Sequence, residues 1–298
     1  MSSVRQFVRD EPALFKATAH FVELFSKVPD PVLLVAKKSS DVQEQMAWTL
    51  FGTALFQGCS YSCFSYIFNA LYKRYCGEKL WALPVPKAEE IMACVDAGLK
   101  ESGLWGKQKW TLYENVPGIF WSVGLFVRRH LPLEGWLASR TMQGLWRDLS
   151  EIYYMGKNYP RPKVCIAVYR LTAPQPFGLG LDYDTTDGVE SSLPFPLTLG
   201  CRRYLSFLGP ASGESFSAMK SDEKVKLASD LYYSIAETFP KNSPLNHPFA
   251  AVHALQFFLE SGKDGFICRV ATKDCTLCPL RNDCQYASPA IKRGPNKF

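Results

Sequence analysis

Residues 44–57 read EQMAWTLFGTALFQ, a stretch that is apolar on nearly every side when wound as a helix. A helix without a polar face has to be buried, so this segment demands a shell of other helices around it. The chain has material for that shell. Residues 12–28 place Leu14, Phe15, Ala19, Phe21, Val22 and Phe25 on an amphipathic helix. Residues 61–75 place Phe64, Ile67, Phe68 and Leu71 at helical spacing. Pro84 and Pro86 interrupt the chain, and KAEEIMACVDAGL restarts it. The pattern predicts further helices near 109–130, 139–155, 162–172, 197–208 and 221–238. A last one, PFAAVHALQFFLESG, closes on Gly262, a residue suited to a C-terminal cap. No strand-rich stretch, Rossmann glycine fingerprint, phosphate loop or long repeat interrupts this pattern, and the fold class read from it is all-α. Residues 173–196, rich in proline and acidic side chains, read as a long surface insertion.

Composition narrows the class further. Hydrophobic residues are 47% and charged residues 21% of the 298, which excludes a disordered, collagenous or strongly acidic chain. No apolar run reaches the roughly 18 residues that a membrane helix needs. The opening MSSVRQFVRDEPALF lacks the shape of a signal peptide. The expectation is a soluble intracellular protein without a membrane partner, cytoplasmic and nucleoid-associated, or nuclear in a eukaryote. The four histidines, His20, His130, His247 and His253, are dispersed and suggest no site.

Ten cysteines in such a chain are not a disulfide framework. Six of them, Cys59, Cys63, Cys76, Cys94, Cys165 and Cys201, sit among aliphatic and aromatic residues and read as small core hydrophobes. The other four form one run, Cys268-RVATKD-Cys275-TL-Cys278-PLRND-Cys284, in an otherwise polar loop. Four soft thiolates this close together suit zinc or an iron–sulfur cluster. A zinc ribbon usually pairs two Cys-x-x-Cys knuckles, and this loop has one; a four-cysteine cluster loop needs no second.

The gaps of six, two and five residues resemble the iron–sulfur cluster loop of the endonuclease III family of DNA glycosylases. Three further places are similar to that family. Phe51-GTALFQGCS-Tyr61 resembles its buried barrel helix, with Gln57 at a DNA-facing position. Residues 88–116 resemble a stretch in which a helix ending in Gly-Leu gives way to another with a basic start. PRPKVCIAVYRL, 160–171, looks like the second helix of the helix-hairpin-helix element, with Lys163 on the position of the lysine nucleophile. The likeness spans roughly 44–172 and 197–286. It implies two helical lobes with a cleft between them: a six-helix-barrel-like domain over 44–172 carrying a degenerate helix-hairpin-helix, and a domain joining 1–43 to 173–298 that carries a structural [4Fe–4S] cluster on Cys268, Cys275, Cys278 and Cys284. It further implies a monomer that binds damaged or mispaired double-stranded DNA, flips a base and cuts the base–sugar bond. Lysine chemistry would add strand nicking.

The chain departs from the family in two places. The hairpin reads MGKNYPRPK; only Gly156 remains, and Pro160 and Pro162 have no N–H to offer a phosphate. The grip would pass to Lys157, Arg161 and Lys163. The essential aspartate of the family falls on Thr198 in PFPLTLGCRRYLSFLG, so the carboxylate would have to come from the nearby insertion, from Asp182, Asp184 or Asp187, unless these are solvated loop charges. Arg202 and Arg203 follow Thr198, and Arg203 is a candidate phosphate contact. From Gly262 to Phe298 seven basic residues face three acidic ones, and within the cysteine loop Arg269, Lys273 and Arg281 are the candidate DNA contacts. The alternative function is a catalytically degenerate relative that binds DNA or a partner protein without cleaving it.

Overall fold

The computed structural model describes residues 3–103, 110–156, 161–182, 195–211, 214–259, 275 and 278–284. Among them the secondary structure is helical, with no strand. In chain order the α-helices are α1 (Ser3–Asp10), α2 (Pro12–Phe25), α3 (Pro31–Ala36), α4 (Val42–Leu55), α5 (Tyr61–Tyr75), α6 (Ala88–Glu101), α7 (Val116–His130), α8 (Leu133–Ala138), α9 (Met142–Leu149), α10 (Pro162–Thr172), α11 (Leu199–Phe207), α12 (Glu214–Ala218), α13 (Ser221–Ala236) and α14 (Pro248–Gln256). None is long and apolar enough to cross a membrane. The chain divides into two compact units, Pro29–Leu193 and the pair Met1–Val28 with Pro194–Phe298.

The middle unit is built around α4, as its all-round apolar sequence requires. Every residue from Met46 to Leu55 is buried, and α3, α7, α8 and α10 pack on it. Trp48 meets Phe51, Phe68 and Tyr72 edge-on at 5.0–5.6 Å between ring centroids. Helices α5 and α6 cross so closely that a Cβ on Gly98 would lie 2.5 Å from the Ile67 Cα, so only glycine fits there. One buried polar knot joins three helices. Arg170 of α10, 3% exposed, meets Asp30 at 2.8 Å and donates to the Thr53 hydroxyl of α4 at 2.9 Å. Asp30 also caps α3, accepting from the Val32 N–H at 2.8 Å.

This arrangement corrects the boundaries read from sequence. Residues 29–43 and 173–193 belong to the middle unit, because α3 packs on α4 and α5 and because Asp30 pairs with Arg170. The described start of the expected surface insertion is a strap folded back on α10. Leu179 N–H donates to Arg170 O at 2.8 Å, Leu181 N–H donates to Leu171 O at 3.0 Å, and Phe177 is 4% exposed. The helix expected over 139–155 is the shorter α9, Met142–Leu149, which starts where the Thr141 hydroxyl caps it by accepting from the Gly144 N–H at 3.3 Å.

In the other unit α2 packs on α14, α14 on α13, and α1 on both α2 and α13. Phe21 stacks on Phe25 at 4.4 Å, Phe25 on Phe257 at 5.6 Å, and Tyr204 meets Phe258 at 5.6 Å. The hydroxyls of Thr18 and Tyr204 share a buried hydrogen bond of 2.7 Å. His253 contacts the Val28 carbonyl at 2.7 Å and so ties the N-terminal segment to α14.

Candidate functional site

The strongest constellation of chemistry lies at the C-terminal end of α4, within the middle unit. A helix end leaves carbonyls without intrahelical partners and carries partial negative charge. Lys163, in the first turn of α10, answers it: its Nζ donates to the Ala54 carbonyl at 2.5 Å. The Tyr154 ring lies 5.8 Å from the same nitrogen. Burial disfavours the ammonium form, and the Arg170 charge adds to that effect against the opposing influence of Cys59, so the Lys163 pKa is held down to about 8 from the ordinary 10.5. At pH 7.5 about one such amine in four is neutral, against about one in a thousand for an unperturbed lysine.

The backbone around Lys163 is unusual. Tyr154 and Arg161 are the non-glycine residues with positive φ among the described residues, at 69° and 45°. For these side chains that conformation costs of order 1 kcal/mol or more. Arg161 is held by its surroundings: its guanidinium lies 5.0 Å from the Trp146 ring, and Nη1 donates to the Ser150 hydroxyl at 2.7 Å. The side chain expected to grip phosphate is thus engaged in fixing the start of α10.

Gln57 follows α4 directly, and its side chain is exposed. Phe56, before it, packs into Tyr61 and Phe64, and the Gln57 carbonyl accepts from the Trp110 indole N–H at 2.6 Å. The Lys163 amine is thus held at the Ala54 carbonyl, three residues before Gln57 in the chain.

The remaining expected residues are dispersed. Thr198 is the N-cap of α11, its hydroxyl accepting from the Cys201 N–H at 3.1 Å. Arg203 is half-buried, with its guanidinium 4.5 Å from the Phe207 ring. Asp182 is exposed at the end of the strap. Lys157, Asp184, Asp187, Arg269, Lys273 and Cys268 lie outside the described residues. Arg281 is a correction: it is 4% exposed, folded into the turn where its own N–H donates to the Cys278 carbonyl at 3.2 Å, and so is not displayed to solvent.

Of the cluster ligands expected, Cys275 and Cys278 are half-buried and Cys284 is 7% exposed. The Cys278 N–H donates to the Cys275 carbonyl at 3.3 Å. Among the described residues no three His, Cys, Asp or Glu side chains gather into a metal site. The donor chemistry of the loop fits a soft metal or an iron–sulfur cluster. The scattered cysteines divide: Cys63, Cys165 and Cys201 are buried as expected, whereas Cys59, Cys76 and Cys94 are half-buried.

The chain matches no family model, no curated protein and no solved structure at a significant level.

Proposed function

We propose that the protein is a DNA-binding N-glycosylase of the base-excision-repair type that uses Lys163 as an amine nucleophile. The observation that carries this reading is the seat of Lys163, largely buried, with a depressed pKa and an oriented nitrogen. A lysine nucleophile has to be neutral near physiological pH, and burial supplies that condition. The Ala54 carbonyl takes one N–H of the neutral amine, which leaves the lone pair to point elsewhere, toward a sugar carbon. Attack on C1′ forms the N–C1′ bond and breaks the bond to the base, which departs with the electron pair and takes up the proton that the nitrogen sheds. Ring opening then sends the C1′–O4′ pair to O4′, which is protonated, and leaves an iminium on Lys163. Loss of a C2′ proton from that iminium expels the 3′-phosphate and nicks the strand.

Duplex DNA is the partner this reading requires. The formal charge of +6 and the excess of basic residues from Gly262 onward support a polyanion partner. Cys268, Cys275, Cys278 and Cys284 would hold a [4Fe–4S] cluster, whose contribution with four protein ligands is a structural cross-link of the C-terminal segment. Gln57, exposed three residues after the Ala54 carbonyl that holds Lys163, would contact the opened duplex.

A second reading, binding without cleavage, is favoured by one residue. Thr198 offers a hydroxyl where the family has a carboxylate, and that hydroxyl is engaged in capping α11. The experiment that separates the two incubates the protein with duplexes carrying a panel of damaged and mispaired bases, measures base release, and adds borohydride. The glycosylase–lyase reading expects a covalent adduct that maps to Lys163 and is lost in Lys163→Ala with duplex affinity retained. Absence of base release and adduct across the panel, with binding intact, establishes the second reading instead.

A further inference from the structure

The tip that follows α4 is clamped from both sides while its central side chain is free to face solvent. Phe56 is anchored against the Tyr61 and Phe64 rings at 5.4 and 4.6 Å. The Trp110 indole N–H donates to the Gln57 carbonyl at 2.6 Å, and Trp110 is itself 4% exposed. Gly58 adopts φ +72°, and a Cβ there would lie 2.5 Å from the Thr111 hydroxyl, so the 110–111 segment closes over the tip. The Ser60 hydroxyl then caps α5 by accepting from the Cys63 N–H at 3.3 Å. Between these fixed points Gln57 is exposed to solvent. Upstream on the same helix end, three residues before Gln57, the Ala54 carbonyl holds the Lys163 amine.

From this geometry we infer that Trp110 is a positioning residue: through its hydrogen bond to the Gln57 carbonyl it fixes the backbone that aims the Gln57 amide at the duplex beside Lys163. The inference rests on the DNA reading above and adds to it the residue that orients the contact. A side-chain amide presented on a rigid backbone loses little freedom on binding, so its hydrogen bonds to base edges or to the opposite strand count nearly in full. With the clamp released, the amide samples many directions and the same contacts are weakened by the entropy of ordering them.

The test is a double-mutant cycle on the full chain, with affinity read on a fluorescent duplex carrying one tetrahydrofuran abasic site. Gln57→Ala removes the amide. Trp110→Phe removes the N–H, and a benzothienyl-alanine at position 110 removes it while keeping the bicyclic ring, which controls for lost packing. Each single change is expected to weaken binding about fivefold, within the range one neutral hydrogen bond contributes. The combination is expected to weaken it no further, because both act on one contact. If Gln57→Ala weakens binding while the benzothienyl variant binds as wild type, or if the two losses multiply, the positioning role is overturned and the DNA reading stands. If Gln57→Ala leaves affinity unchanged, the DNA-facing role of Gln57 and the positioning role fall together.

Discussion

Replacing Asp30 by alanine should be among the most damaging single changes in the middle unit. The Asp30 carboxylate accepts from Arg170 at 2.8–2.9 Å and from the Val32 N–H at 2.8 Å, all with little access to solvent. Its loss leaves the Arg170 guanidinium, 3% exposed, as a buried charge without its counter-ion. Breaking a buried pair from one side costs about 3–5 kcal/mol, and loss of the α3 cap adds about 1 kcal/mol. Relief through the retained Thr53 bond offsets part of this, so we expect about 4 kcal/mol, a large share of the 5–15 kcal/mol typical of a domain. All seven tryptophans of the chain lie within 29–193, so tryptophan fluorescence in a urea titration reports on this unit. Asp30→Asn keeps a cap acceptor and should cost about half as much. Asp30→Ala combined with Arg170→Met removes the stranded charge and should recover most of the loss, since replacing a buried pair by apolar groups is often neutral. A loss within about 1 kcal/mol for Asp30→Ala alone would refute the reasoning.

Two further predictions concern the proposed chemistry. If trapping uses the neutral Lys163 amine, its rate rises with pH to a midpoint near 8, where the buried lysine titrates; a midpoint near 10.5 contradicts the seat described. Because the unfolded lysine binds its proton up to about 10.5 and the folded one only to about 8, this group adds stability as pH rises through that window, which urea titrations at pH 8 and 10 of wild type and Lys163→Met check. Thr198→Asp retains an N-cap acceptor and supplies the carboxylate, so it should leave the thermal midpoint within a few degrees of wild type and raise base release; a gain that fails to appear in a variant that binds DNA normally argues for the binding-only reading.

Much of the helical plan was legible because it follows from local pattern. The all-round apolar stretch at 44–57 could only be a core helix, and α4 is buried from Met46 to Leu55. Helix α5 runs over the expected 61–75, and α10 occupies the expected 162–172 because Pro162 suits a first turn. The short α3 was missed because six residues carry too little periodicity, and its place depends on the distant Arg170. The strap after α10 was missed because its proline-rich sequence reads as loop, while its order comes from backbone bonds to residues 170–173 and from the buried Phe177 ring. In the candidate site, Lys163 and Gln57 were singled out from motif likeness. What holds them was not legible: the Ala54 carbonyl, the Tyr154 ring and the Trp110 clamp join positions up to 109 residues apart, and no local spacing encodes such meetings. The one readable signal was the run of carbonyls that any helix C-terminus leaves open.

The DNA reading draws its kinship from the four-cysteine loop, so the content of that loop tests the account most directly. Protein purified without oxygen should be brown and hold iron and acid-labile sulfide in equal amounts, with both lost together in Cys278→Ser. A colourless protein that carries zinc, or no metal at all, with the C-terminal segment folded would contradict the account.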